Sequence, residues 1–175
     1  MKKFYVSNQR FTRMVRWLTG ICLVLVLSAC ATGSRQPVHT FQFDARFDDW
    51  ATQADLLEFS YGDKERMTHK VVQPGQERIG YQWLVNGAMP IGEYLYVKWR
   101  ITQTGEVIED KVDLRPLLPW NLGGHTLTFV IDGRQLYVYL VTPQFKPYKS
   151  PPVLKTYLSD SRVTYEIYPR NTRPQ

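Results

Sequence analysis

Apolar and polar residues alternate with a period of two over much of the chain beyond residue 40. The segment FQFDARF at 41–47 shows this pattern first, and LLEFSYG at 56–62, EYLYVKWRI at 93–101 and EVIEDKVDL at 106–114 repeat it. Successive side chains of a strand point to opposite faces, so the period predicts strands with one buried face. The apolar positions expected on the buried faces are Phe41, Phe43, Ala45, Phe47, Leu57, Phe59, Tyr61, Leu95, Val97, Trp99, Ile101, Ile108, Val112 and Leu114, with Asp110 as an exception.

Four of the predicted strands should pair as two hairpins. TQTGE at 102–106 joins the first pair and contains a glycine. The second pair lies in HTLTFVIDGRQLYVYLV at 125–141, where Asp132-Gly133 favours a tight turn because these residue types tolerate positive φ angles. RVTYEIYP at 162–169 alternates again and predicts a last strand.

The remaining segments predict connections and little helix. RPLLPWNLGG at 115–124 and TPQFKPYKSPP at 142–152 are rich in proline, which cannot donate to a strand ladder. The best helical candidate is DDWATQADLLEF at 48–59, where Trp50, Ala54 and Leu57 are spaced four and three apart. We therefore predict an all-β protein, an antiparallel β-sandwich or open barrel of about six to eight strands.

The first 29 residues have the layout of a secretory signal peptide. A basic head is followed by the apolar run WLTGICLVLVL at 17–27 and by two small residues. A helix needs about 20 apolar residues to cross a bilayer, so this shorter run is typical of a cleaved signal.

The residues that end this segment, Leu27-Ser28-Ala29-Cys30, resemble the lipobox of bacterial lipoproteins. The resemblance implies cleavage before Cys30, a diacylglycerol on its thiol and an acyl group on the new amino terminus. Several acyl chains on one residue anchor a protein far more firmly than one chain. Because Ala31 rather than aspartate follows the cysteine, the resemblance also implies the outer membrane, with the domain facing the periplasm. No other cofactor is expected.

The predicted cleavage changes the charge and divides the chain. The whole sequence carries +6, but five of its 22 basic residues and none of its acidic residues precede Cys30, which leaves +1. So small a charge argues against a nucleic-acid partner. We predict a signal peptide at 1–29, a lipidated terminus and tether at 30–40, one β-rich domain at 41–170 and a C-terminal tail at 171–175.

No set of residues predicts catalysis or a metal site. The serines after Cys30 lack the glycine-flanked elbow of hydrolases. His39, His69 and His125 are widely separated in sequence and favour exposed loop positions, with His39 in the tether. Metal sites need several converging ligands. Adjacent carboxylates on a strand point to opposite faces, so the acidic pairs of this chain favour solvated charge.

The residues singled out for binding are tyrosines and cations on strands. The set is Tyr94, Tyr96, Lys98 and Arg100 in one hairpin, Tyr137 and Tyr139 in the other, and Trp120 in the loop between them. If the hairpins are neighbours, these side chains form one interaction face, since tyrosine and arginine are enriched where proteins bind partners. The alternative is that the tyrosines are strand formers covered by a second sheet.

The strings VKWRITQTGEVIEDKVDLR at 97–115 and IDGRQLYVYLV at 131–141 resemble a family of small uncharacterised proteobacterial lipoproteins. The resemblance covers about residues 41–168 and implies no activity. We expect a non-enzymatic, lipid-anchored envelope lipoprotein that binds the membrane through its anchor and an envelope protein through its domain. The alternatives are a periplasmic ligand- or glycan-binding module and an immunity protein against a periplasmic toxin.

Overall fold

Nine strands and one short helix make up the part of the chain that the computed structural model describes, which is residues 36–62, 68–147, 151, 153–154 and 157–174. The predicted signal peptide and Cys30 lie outside these residues. The strands are β1 Val38–Asp44, β2 Ala54–Tyr61, β3 Thr68–Val71, β4 Gln82–Ala88, β5 Tyr94–Ile101, β6 Val107–Asp113, β7 Thr126–Asp132, β8 Gln135–Phe145 and β9 Arg162–Tyr168, and the helix is α1 Tyr157–Ser161.

The strands form two sheets, as predicted for a β-sandwich. One sheet has the order β4-β1-β7-β8-β9 and the other the order β3-β2-β5-β6. Every strand pair is antiparallel except β1 with β7, which run parallel from Thr40–Gln42 and Thr126–Thr128. Both predicted hairpins, β5–β6 and β7–β8, are confirmed.

An aromatic cluster fills the space between the sheets. The ring centroid of Phe129 lies 4.9 Å from Phe43, 6.1 Å from Trp50, 6.2 Å from Phe41 and 6.4 Å from Phe59. All five side chains are at most 2% exposed. The core therefore joins the sheets mainly through large rings, whose burial supplies much of the stability of a domain this size.

Three of the hydrogen bonds that cross between the sheets involve an aromatic side chain. The Trp99 indole N–H donates to the Gly133 carbonyl oxygen at 3.0 Å, and the Tyr168 hydroxyl donates to Asp110 Oδ2 at 2.8 Å. Asp110 was the exception in the predicted pattern of β6, and this bond satisfies its inward-facing carboxylate. His39 and Tyr61 form the third bond.

Several predicted strand limits were wrong. In β2 the register shifts between Leu56 and Glu58, so Leu56 is buried and Leu57 is only half-buried. A bulge of this kind adds one residue and shifts which side chains face the core. β1 ends at Asp44, which leaves Phe47 in a turn and 59% exposed.

Other connections also differ from the sequence predictions. The helical candidate at 48–59 forms turns and then β2, because its apolar residues are needed by the sheet. β8 continues through Pro143 to Phe145, where it pairs with β9 alone. The β7–β8 loop consists of Gly133 and Arg134, one position later than predicted, with φ of 55° at Gly133.

The domain also extends beyond both predicted boundaries. β1 begins at Val38, inside the predicted tether, and the Val38 carbonyl oxygen accepts from the Gly124 amide at 2.9 Å. At the other end, the Thr172 amide donates to the Glu166 carbonyl oxygen at 2.9 Å. Backbone hydrogen bonds therefore connect residues of the predicted tether and of the predicted tail to the domain.

His39 is a buried strand residue, which corrects its predicted position in an exposed tether. Its side chain is 1% exposed. Nδ1 lies 3.1 Å from the Pro37 carbonyl oxygen, which only accepts, so Nδ1 carries the proton. Nε2 then accepts from the Tyr61 hydroxyl at 2.9 Å, and Tyr61 Oη accepts from the Gly92 amide at 3.2 Å. This chain satisfies each polar atom of the neutral histidine.

We expect the domain to lose stability as the pH falls from 7.5 to 5.5. Burial lowers the pKa of His39 below its usual value, against the raising effect of its bond to Pro37. An unfolded histidine protonates near pH 6.5, so acid favours the unfolded chain in this window. Urea unfolding at several pH values gives the free energy of unfolding as a function of pH. Its slope against pH should be smaller in His39→Gln than in the wild type. Equal slopes would contradict the assignment.

Candidate interaction surface

The predicted tyrosine face is divided between opposite sides of the sandwich. β5 lies in the four-stranded sheet and β8 in the five-stranded sheet. The intervening residues of both strands, such as Val97 and Val138, are buried between the sheets. Tyr94 and Tyr96 therefore point away from Tyr137 and Tyr139, and one continuous face of these residues does not form.

On the outer side of β5, Arg100 is paired within its own sheet. Its Nη2 lies 2.8 Å from Asp55 Oδ2, and Arg78 Nη1 lies 3.3 Å from Asp55 Oδ1. Asp55 is 8% exposed beneath these two guanidinium groups. A partner that used Arg100 would have to compete with Asp55 for the guanidinium group, because breaking a buried ion pair is costly.

The other three residues on this side also have partners. Tyr96 Oη donates to Glu109 Oε2 at 2.8 Å, and Lys98 Nζ lies 3.7 Å from the same oxygen. Lys111 Nζ lies 4.3 Å from the centroid of the Tyr94 ring. Burial, followed by the bond to Glu109, raises the pKa of Tyr96 to about 12. The outer side of β5 is therefore a polar surface whose charges are largely neutralised from within.

Tyr137 and Tyr139 lie on the outer face of the five-stranded sheet. Their rings are stacked with centroids 6.4 Å apart, and both side chains are half-buried. Burial, together with the nearby Glu166 carboxylate, raises the pKa of Tyr139 to about 12. Thr128 lies opposite Tyr139 and is 1% exposed. Both tyrosines are thus strand residues that pack against each other on the outer face of their sheet, and no second sheet of the described segments covers them, contrary to what the alternative had expected.

Trp120 stands apart from both groups. It is 92% exposed in the loop between β6 and β7. A groove of about 270 Å³ lies near this loop and is lined by Pro119, Pro143, Tyr165 and Arg173, among others, but not by Trp120.

Strand β4, which the sequence reasoning missed, has a free edge. β1 pairs with one side of it, and no other strand of the described segments pairs with the opposite side. The signal for a strand was present in YQWLVNGA at 81–88, where Gln82 and Asn86 alternate with Trp83 and Val85. The apolar Leu84 interrupts that alternation. Leu84 is 62% exposed, so its side chain lies on the surface rather than in the core.

The backbone groups at this edge can be assigned from the register. Ala45 N donates to the Tyr81 carbonyl oxygen at 2.8 Å, and Met89 N donates to the Pro37 carbonyl oxygen at 3.4 Å. Hydrogen-bonded and non-bonded pairs alternate along antiparallel strands, so the odd-numbered residues of β4 bond to β1. The even-numbered residues Gln82, Leu84, Asn86 and Ala88 therefore direct their N–H and C=O groups to the free edge.

An apolar patch adjoins this edge. We define the β4 patch as Leu84, Phe47 and the groove of about 410 Å³ between them, which Gln42, Phe43, Asp44, Gln82 and Trp83 complete. Phe47 and Leu84 are 59% and 62% exposed. At one end, the Arg46 guanidinium contacts Gln82 and lies 3.3 Å from Asp44. Exposed apolar patches with polar rims are typical of protein-interaction sites.

The other edge strands carry the charges that discourage strand pairing. β3 has four residues and contains Lys70, β6 contains Glu109, Asp110, Lys111 and Asp113, and β9 contains Arg162 and Glu166 with register shifts in its pairing to β8. Gln82–Ala88 has no charged residue and no proline. Proteins usually protect exposed edges with charges, prolines, bulges or short length, so β4 is the edge suited to pairing.

Two further features are absent from the described residues. They contain no group of three or more histidine, cysteine or acidic residues placed to hold a metal. Nor do they contain a helix of the length and hydropathy that a membrane span requires. His69 lies on β3, 3.0 Å from Glu58, rather than in a loop.

No protein family model, curated protein or solved structure matches this chain significantly.

Proposed function

We propose that this chain is a non-enzymatic, lipid-anchored envelope lipoprotein that acts as a protein-interaction or assembly module through the free edge of β4 and the β4 patch. Cys30 carries the acyl anchor in this proposal and holds the domain at the periplasmic side of the outer membrane. The observation that carries the proposal is the uncharged edge of β4 beside two exposed apolar side chains, Phe47 and Leu84.

The chemistry of the edge supports binding by strand addition. Four residues offer backbone donors and acceptors in a row, and a strand laid against them gains main-chain hydrogen bonds. The exposed side chain of Leu84 supplies apolar area beside that row. By contrast, Arg100, Lys98 and Tyr96 on β5 already bond within their own sheet. The edge of β4 therefore offers more unmet binding capacity than the tyrosine-bearing faces.

A charged substitution at the edge should abolish the interaction without unfolding the domain. Leu84→Lys places an ammonium group where a partner strand would pack, and lysine on an edge opposes strand addition. The matched control is Val107→Lys, because Val107 is 51% exposed on the edge strand β6. Full-length protein should be crosslinked in intact membranes, purified and identified by mass spectrometry.

We expect one major crosslinked species in the wild type and in Val107→Lys, and its loss in Leu84→Lys. Thermal unfolding of all three proteins should agree within a few degrees, which separates lost binding from lost folding. Crosslinks that are unchanged in Leu84→Lys would contradict the proposed use of this edge.

A further inference from the structure

We infer that the strand which occupies the free edge of β4 is β4 of a second copy of this chain, in an antiparallel pair about a twofold axis at Leu84. This inference rests on the proposed function and names its partner. Three features of the edge carry it: its backbone register, its self-complementary sequence and its lack of charge.

The backbone register permits a symmetric pair. Gln82, Leu84 and Asn86 direct their N–H and C=O groups outward, as the β1–β4 register requires. If Leu84 faces Leu84 of the second copy, Gln82 faces Asn86 on both sides of the axis. The even-numbered residues then meet in hydrogen-bonded pairs, and each copy satisfies the outward-facing donors and acceptors of the other.

The side chains of the strand are symmetric about the same residue. From Gln82 to Asn86 the order is amide, apolar, apolar, apolar, amide. The twofold axis therefore sets the Gln82 amide against the Asn86 amide, Trp83 against Val85 and Leu84 against itself. Directly opposed side chains on one face of an antiparallel pair interact, so each contact matches like chemistry with like.

The charge of the strand favours a copy of itself over a different partner. A twofold axis brings each side chain close to its own kind, and a charged strand would then meet repulsion. Gln82–Ala88 has no charge to repel and none for an oppositely charged strand to recognise. Each copy alone leaves the apolar surface of Leu84 and Phe47 exposed. The pair would join this surface of one copy to the same surface of the other. The two five-stranded sheets would become one continuous sheet.

Cysteine substitutions test the register directly. The chain has only two cysteines, one in the predicted signal peptide and one at the predicted acylation site, so an introduced thiol would act alone. Hydrogen-bonded antiparallel residues have Cα atoms about 5.5 Å apart, within the range of a disulfide. Full-length Leu84→Cys, oxidised in intact membranes, should therefore give a disulfide-linked species of twice the monomer mass.

Asn86→Cys is the matched control. In the proposed register Asn86 is four positions from Asn86 of the second copy, or roughly 13 Å along the strands, which is too far for a disulfide. Asn86→Cys alone and Gln82→Cys alone should remain monomeric on a non-reducing gel. Co-expression of the two should restore the linked species, because Gln82 and Asn86 are opposed.

The outcomes separate this inference from the proposed function. A linked dimer of Leu84→Cys, with linkage of the Gln82→Cys and Asn86→Cys mixture, supports the twofold pair. Linkage of Leu84→Cys to a different envelope protein overturns the inference and leaves the proposed function standing. A Leu84→Cys protein that links to nothing, together with crosslinks unchanged in Leu84→Lys, overturns both.

Discussion

Phe129→Ala should lower the free energy of unfolding by about 3–5 kcal/mol, the range measured when a buried phenylalanine is truncated. Phe129 is 0% exposed, and its ring lies among the four other rings of the central cluster. Those rings come from β1, β2 and the turn before β2, so they cannot collapse together into the space that the truncation leaves. Urea unfolding followed by tryptophan fluorescence measures the change.

Phe47→Ala is the control for this prediction, since it removes the same atoms from a side chain that is 59% exposed. Surface substitutions usually change stability by less than about 0.5 kcal/mol. We therefore expect Phe47→Ala to unfold like the wild type. Similar losses in both variants would show that Phe129 is not packed as described.

Gly92→Ala should destabilise the domain by about 1–3 kcal/mol, as overpacking of a buried site usually does. A Cβ atom at Gly92 would lie 2.5 Å from Tyr61 Cε2 and 2.7 Å from Cδ2. Tyr61 cannot move aside, because its ring stacks on Phe41 at 4.9 Å and meets the edge of His39 at 5.9 Å. The backbone at residue 92 must shift instead, which weakens the hydrogen bond that its amide donates to Tyr61 Oη.

Gly80→Ala is the matched control, since a Cβ atom there would meet no atom within 4 Å. Equilibrium unfolding of the two variants separates the steric effect from the general effect of replacing glycine. We expect a clear loss for Gly92→Ala and little change for Gly80→Ala. A Gly92→Ala protein as stable as the wild type would mean that the Tyr61 side chain can adopt another position.

These variants also bear on the proposed interaction. Residues of the core and of the His39–Tyr61–Gly92 chain determine whether the sandwich forms, and their loss should reduce binding only through unfolding. Leu84 and Phe47 lie on the surface, so their substitution should change binding at constant stability. Measuring stability and crosslinking on one set of variants therefore distinguishes the two roles.

The sequence alone determined the all-β class and the two hairpins, because a period of two and a glycine-containing turn are local signals. The strands β5, β6 and β7 could be predicted from such signals with nearly correct limits, and so could β8 as far as Val141. His39 could not be placed, since its burial depends on Tyr61, which is 22 positions away in sequence. The shift at Leu57 was equally hidden, because a bulge depends on the partner strand.

Only the tertiary structure decided which surface is open. Sequence spacing correctly put Tyr94 and Tyr96 on the face of β5 away from Val97, and Tyr137 and Tyr139 on the face of β8 away from Val138. It could not tell that β5 and β8 belong to different sheets, because sheet membership is set by long-range pairing. The free edge of β4 could not be predicted for the same reason. A strand has a free edge only where no other strand of the described residues pairs with that side. Local chemistry fixes each strand, and the order of strands fixes what a partner can reach.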